Sequence, residues 1–272
     1  MSAMKRALDQ LFEGAAPLET VGVFIRGKVT YLGGLGLLLL SFFKQAFKRP
    51  FFTAELKEQC VHVGLASMPI AAVTLFFVGV VFAYQFGTTL RALGAVQYIG
   101  RVTTISLVRE LGPVFTALVV GGRIGAGMAA ELGSMRVTEQ IDAVRALGAS
   151  PIKKLIVPRL CAATLMMPLV SVLATVIGAV GAVIISWIEF RVSPVSFYGT
   201  SIAAVRMIDF LSGFTKTFFF GFGVALVGCY EGLFCEFGTR GVGRATTRAV
   251  VNVSLVIVFT DFFLTRLFVL FL

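Results

Sequence analysis

Five stretches of this chain run for more than twenty residues each with almost no charge: 63–88, 104–130, 155–187, 213–234 and 249–272. A bilayer is where such runs belong. About 20 apolar residues in a helix cross its hydrocarbon core, whereas a membrane strand needs only about 9–11. Inside lipid, every backbone N–H and C=O must also find its partner within the helix or around a closed barrel. The predicted fold is therefore an all-α integral membrane protein with five transmembrane helices. Composition agrees. Only 14% of the residues are charged, against about 25% in soluble domains. The third stretch is long enough to require tilt, a kink at Pro168 or an interfacial end.

The net charge of +10 would suit nucleic acid if it formed one patch. Instead the cations sit in blocks between the apolar runs, as membrane anchors do, and no nucleic-acid partner is expected. Residues 1–62, 131–159 and 235–248 together hold sixteen Lys and Arg, and the alternate connections hold four: Arg91, Arg101, Arg191 and Arg206. Positive charge stays on the cytoplasmic side, so the N-terminus is predicted inside and the C-terminus outside. The chain divides into an N-terminal region, 1–62, and a five-span permease region, 63–272, with a cytosolic segment at 131–159.

Residues 1–20 mix acidic and basic groups without a continuous apolar core, which fits an amphipathic lead-in rather than a cleavable signal. The uncharged run at 29–43 has fifteen residues, is interrupted by Gly33, Gly34 and Gly36, and is flanked by Arg26, Lys28, Lys44, Lys48 and Arg49. Interfacial helices dipping into the cytosolic leaflet explain it better than a full crossing; both readings stay open. His62 is the single histidine, and Cys60, Cys161, Cys229 and Cys235 lack metal-ligand spacing. A metal centre, an H-E-x-x-H site or a His-based catalytic cluster is thereby excluded within one chain. GGRIGAG, at 121–127, has no following Lys-Ser/Thr and lies in a span, so it reads as close helix packing. Its small residues also offer a surface for a second copy of the chain.

Between the second and third spans the sequence turns polar. Val137, Ile141 and Val144 recur at helical spacing, with Arg136, Glu139, Gln140 and Arg145 on the other face. Gly148 and Pro151 close this predicted helix, 137–148. Four charges fall in the outer half of the spans: Arg109 and Glu110 in the second, Lys216 in the fourth and Asp261 in the fifth. A charge at the centre of a span costs about 2.5–3.5 kcal/mol on insertion scales, so these four are expected to form a neutralised cluster lining a pathway or knotting the helices together. Tyr84 and Gln85, near the outer end of the first span, are further candidates for the pathway. Arg123 lies nearer the inner end and is expected to snorkel.

RELGPV (109–114), GRIGAGMAAELGSMRVTEQIDA (122–143), LGASP (147–151), the Pro158-Arg159 pair and RATTRAVV (244–251) resemble the MlaE-type permease family. The resemblance runs from about residue 76 to the C-terminus. It implies the membrane subunit of an ABC transporter that moves phospholipids between the inner and outer membranes of a bacterium. Such a subunit is an inner-membrane homodimer and not itself an enzyme. Two ATPase subunits bind ATP and Mg on the cytosolic side, MCE-domain proteins sit on the periplasmic side, and a STAS-domain subunit is a common addition; no cofactor is expected in this chain. DAVRALG, at 142–148, resembles the motif by which ABC importer permeases dock on their ATPases, except that Pro158 follows sooner. The ATPase contact is accordingly assigned to Glu139, Gln140, Asp142, Arg145 and Leu147. A different function class remains: a secondary transporter using the charge cluster as an ion relay, for which the cytosolic helix has no use.

Overall fold

The computed structural model describes residues 26–46 and 53–271, and every regular element among them is helical. The predictions for 1–20, and the flanking roles of Lys48 and Arg49, fall outside the described residues. In chain order the helices are α1 (Arg26–Ala46), α2 (Thr53–Val63), α3 (Met68–Ala92), α4 (Ile99–Ser106), α5 (Gly112–Val137) and α6 (Gln140–Ala146). They continue with α7 (Val157–Phe190), α8 (Pro194–Ala204), α9 (Met207–Leu233) and α10 (Thr239–Phe271). The five predicted spans correspond to α3, α5, α7, α9 and α10; α9 and α10 extend well beyond their apolar runs, and the other three match theirs in length to within one residue.

α1 is a single helix of 21 residues, and its glycines do not interrupt it. Length and hydropathy would let it cross a membrane, making six such helices among the described residues. Its contacts are with α9 and with the segment after α6. Tyr31 packs edge-on against Tyr230 near the end of α9, while Gln45 accepts a hydrogen bond from Ser150 in the segment after α6. Both ends of α1 are thus tied to the end of the bundle that carries α6, although Phe42 reaches up to Phe222.

Helix α5 and helix α9 form the centre of the bundle, flanked by α7 and α10, with α3 packed outside α7. Bare backbone makes this possible. A Cβ on Gly79 of α3 would collide with the carbonyl of Gly178 of α7, and one on Gly228 of α9 would press on the backbone at Gly125 of α5. Small residues at helix crossings allow this approach. Gly121 and Gly125 also receive Val253 and Ile257 of α10. The small-residue face expected to meet a second copy is therefore largely taken up inside the subunit. Among the glycines of α5, Gly127 alone looks onto open space.

Two π-helical turns, Leu107–Leu111 and Ile152–Ile156, lead into α5 and α7. Each stands just before a proline, Pro113 or Pro158, whose missing N–H and ring disrupt bonding to the carbonyl four residues back. The proline of α5 thereby leaves the carbonyl of Arg109 without its helical donor. Two helices were not anticipated. α8 begins with Ser193 as N-cap, accepting from the Ser196 N–H at 3.2 Å, and Pro194 in the first turn. It packs on α4, where Ser201 donates to the carbonyl of Gly100 at 3.1 Å.

Candidate functional site

Lys216 is 1% exposed, in the middle of three helices. Its ammonium group donates to Glu110 Oε2 at 2.5 Å and to Thr265 Oγ1 at 2.6 Å, and lies 3.1 Å from Asp261 Oδ1. The contact with Asp261 is an ion pair without hydrogen-bond geometry. Thr265 in turn donates to Glu110 at 3.3 Å, closing a ring of groups from the turn before α5, from α9 and from α10. Lys216 also reaches the carbonyl of Arg109 at 3.4 Å, the acceptor that Pro113 leaves open. A buried ammonium has three protons to satisfy, and this site supplies more than three acceptors.

The predicted four-charge cluster needs one correction. The side chain of Arg109 turns away and pairs with Asp209 at 3.6 Å. Asp209 is 4% exposed and also accepts the Arg206 N–H at 3.0 Å, capping the first turn of α9. The core of the site is thus one cation between two carboxylates. Charge balance returns only over the wider set, in which Arg109, Arg206 and Lys216 face Glu110, Asp209 and Asp261. Whether Lys216 pairs with Glu110 or with Asp261 has a simple answer here, since it holds both. Sequence reasoning passed over Asp209 and Thr265, because depth can be counted along a helix but rotation about its axis cannot. A carboxylate three residues after Arg206 is a capping signal that could have found Asp209.

Tyr84 and Gln85 do not join this cluster. Both are exposed on α3, and the Tyr84 ring stands 6.0 Å from that of Phe190 on α7. Arg123 does not simply snorkel either: it donates to Ser67 Oγ at 2.7 Å, tying α5 to the turn before α3.

The polar segment after α5 is shorter and more sharply bent than predicted. Arg136 and Val137 belong to the last turn of α5, where Arg136 donates to the carbonyl of Leu233 at 2.6 Å. Glu139 then adopts a left-handed backbone, φ 57°, and α6 covers only Gln140–Ala146. Gly148, φ 76°, ends the bend. Ile141 is buried and anchors α6 to the bundle, while Glu139, Gln140, Asp142, Arg145 and Leu147 are all exposed. Leu147 at 86% exposure is an apolar side chain held out in the open. Behind this segment Arg159, almost wholly buried, pairs with Glu131 at 2.6 Å and joins α7 to α5.

A second polar knot lies toward this end of the bundle. Glu231 of α9, 5% exposed at its side chain, meets Arg248 Nε at 3.2 Å and accepts from Asn252 Nδ2 at 2.8 Å. Asn252 also donates to the Tyr31 hydroxyl at 3.2 Å. No sequence argument singled out this group, although Glu231 lies in the fourth apolar run and should have raised the same question as Lys216.

The model of the family described as Permease MlaE matches residues 56–267. The chain is 38% identical to a probable ABC transporter permease protein of Rickettsia typhi over 220 residues, 81% of this chain and 85% of that one. It is 41% identical to a probable ABC transporter permease protein of Synechocystis over 210 residues, 77% and 80% of the two chains. A third relative of the same description, from Pyropia yezoensis, is 33% identical over 213 residues, 78% and 81% of the two.

Proposed function

The chain belongs to the MlaE family of ABC transporter permeases, and from that premise we propose that it moves phospholipid between the inner and outer membranes as the transmembrane subunit of an ATP-driven complex. A permease of this class works with an ATPase that binds ATP and Mg in another chain. The observation that carries the reading is α6. A seven-residue helix hung below the bundle by one buried residue, Ile141, with five exposed side chains around it, is a surface built for a partner to grip. On this reading the ATPase pushes on Glu139, Gln140, Asp142, Arg145 and Leu147. The ring around Lys216 lies near the other end of the same helix pair, where a lipid head group needs polar contacts that aliphatic walls lack. The full complex is then two copies of this chain, two ATPases, an MCE-domain protein on the periplasmic side of the inner membrane and, in some assemblies, a STAS-domain subunit.

The test is reconstitution of the chain with its ATPase in vesicles carrying a fluorescent phospholipid. The expected result is lipid movement that requires ATP hydrolysis. Glu139→Lys combined with Arg145→Glu should abolish movement and weaken ATPase association while leaving the protein in the membrane. One observation favours a second reading: two carboxylates and one lysine are gathered within a bundle of membrane helices, the kind of group an ion relay requires. Lipid movement driven by a proton gradient with no ATPase present would establish that reading instead.

A further inference from the structure

The knot at Glu231 forms the back wall of a cavity of about 820 Å³ between α1, the end of α9 and the early turns of α10. Arg26, Lys28 and Arg248 line it, and Tyr230, Phe234 and Val251 supply apolar wall. A shallower depression, lined by Arg240, Arg244 and again Arg248, adjoins it along α10.

The arginines are badly placed for the helix that carries them. Arg240, Arg244 and Arg248 recur every four residues over the first ten residues of α10, on one face, and Arg240 stands in the first turn, where the backbone dipole is positive and favours anions. Local carboxylates do not balance them. Glu236 pairs with Arg244 at 3.1 Å. Glu231 has one oxygen on Arg248 and the other on Asn252. Among the described residues, and leaving Lys28 aside, four arginines face two carboxylates. Arg248 meets Glu231 through Nε at 3.2 Å, so its guanidinium is oriented by a buried carboxylate beside the cavity that it lines. Guanidinium groups held in this way suit the paired oxygens of a phosphate.

We propose that this cavity binds the phosphate-bearing head group of an anionic phospholipid, with its acyl chains following the apolar wall. The apolar wall is what selects a lipid over free phosphate, which would have no use for Phe234 or Val251. The site is separate from the ring at Lys216, lying fifteen residues, or about 22 Å, further along α9. The proposal concerns binding alone and goes beyond the transport function. It survives if transport proves to be driven differently, and it can fail while ATP-driven transport stands.

The test uses the full chain purified with its ATPase, stripped of lipid and returned to nanodiscs of phosphatidylglycerol or of phosphatidylcholine, with retained lipid counted by native mass spectrometry. Phosphatidylglycerol should be retained at least about tenfold more strongly. Arg26→Gln with Arg240→Gln spares the Glu231 pair and should lower retention by about thirtyfold, the scale set by two cations near an anionic head group. Val251→Trp changes no charge and should weaken lipid binding by projecting a bulky ring into the cavity that Val251 lines. Equal retention of the two lipids would overturn the proposal. So would unchanged binding in Val251→Trp, since that describes a basic surface rather than a site. Displacement of the lipid by millimolar inorganic phosphate would reassign the cavity to the free anion.

Discussion

The two polar knots on α9 and α10 solve the same problem in opposite ways. At Lys216 the buried group is the cation, and its anions, Glu110 and Asp261, are the more exposed members at 37% and 23%. At Glu231 the buried group is the anion, and its cation, Arg248, is about half exposed. The first draws on three separate segments and consumes a backbone carbonyl as well. The second belongs to two neighbouring helices, with α1 leaning in through Tyr31. Where the buried member has partners on several helices, the polar group holds the bundle together. Where its partner faces outward, the pair can present charge to something else.

This contrast is broken most directly by removing the cation of each knot. Lys216→Ala leaves two carboxylates without their cation and should destabilise the protein by about 3–5 kcal/mol, seen as a collapse of membrane-inserted protein or a large fall in the thermal midpoint in detergent. A midpoint within a degree or two of the parent would mean that the ring is not structural. Next in size is the coupling within the ring. Lys216→Met, Glu110→Gln and their combination should give a cycle in which the double variant is less damaged than the two singles added together, by about 1–3 kcal/mol. Strict additivity would show that the two groups do not sense each other, and Asp261→Asn in the same cycle would then identify the true partner.

Arg248→Ala should cost less, about 1–2 kcal/mol, because water reaches half of the arginine and can compensate Glu231. A loss equal to that of Lys216→Ala would erase the distinction between the two knots. The smallest change lies outside both. Glu139→Gly should leave stability unchanged or raise it by up to about 1 kcal/mol, since glycine adopts a left-handed backbone without the penalty a side chain incurs. A clear loss of stability would mean that the Glu139 side chain makes a contact the bend depends on.

Much of this arrangement was legible in the sequence, and the limits follow from geometry. The spans could be counted because each apolar run is long, and the depth of Glu110, Lys216 and Asp261 followed from a fixed rise per residue. Which way each side chain points did not follow. Arg109 and Glu110 are adjacent in the chain, yet one faces Asp209 and the other Lys216. α8 was overlooked although Ser193-Pro194 is a helix-start signal, because attention to hydropathy merged it with the outer connection. The predicted helix at 137–148 spread too far because Val137 keeps the right spacing; the left-handed turn at Glu139 falls at a residue type that gives no warning of it. The continuity of α1 was likewise concealed by three glycines, which lower helix propensity without forbidding a helix that other helices support.

One feature of α5 sets how force could travel through this molecule. Its 26 residues make a rod of about 39 Å, longer than the hydrocarbon core of a bilayer. The loosened turn that carries Glu110 stands at one end and the bend into α6 at the other. A piston of that length needs no relay of side chains between its ends. On the proposed function, a displacement applied at α6 would arrive beside Lys216 as the same displacement, and the two irregular turns are the joints at which such a stroke would begin and end.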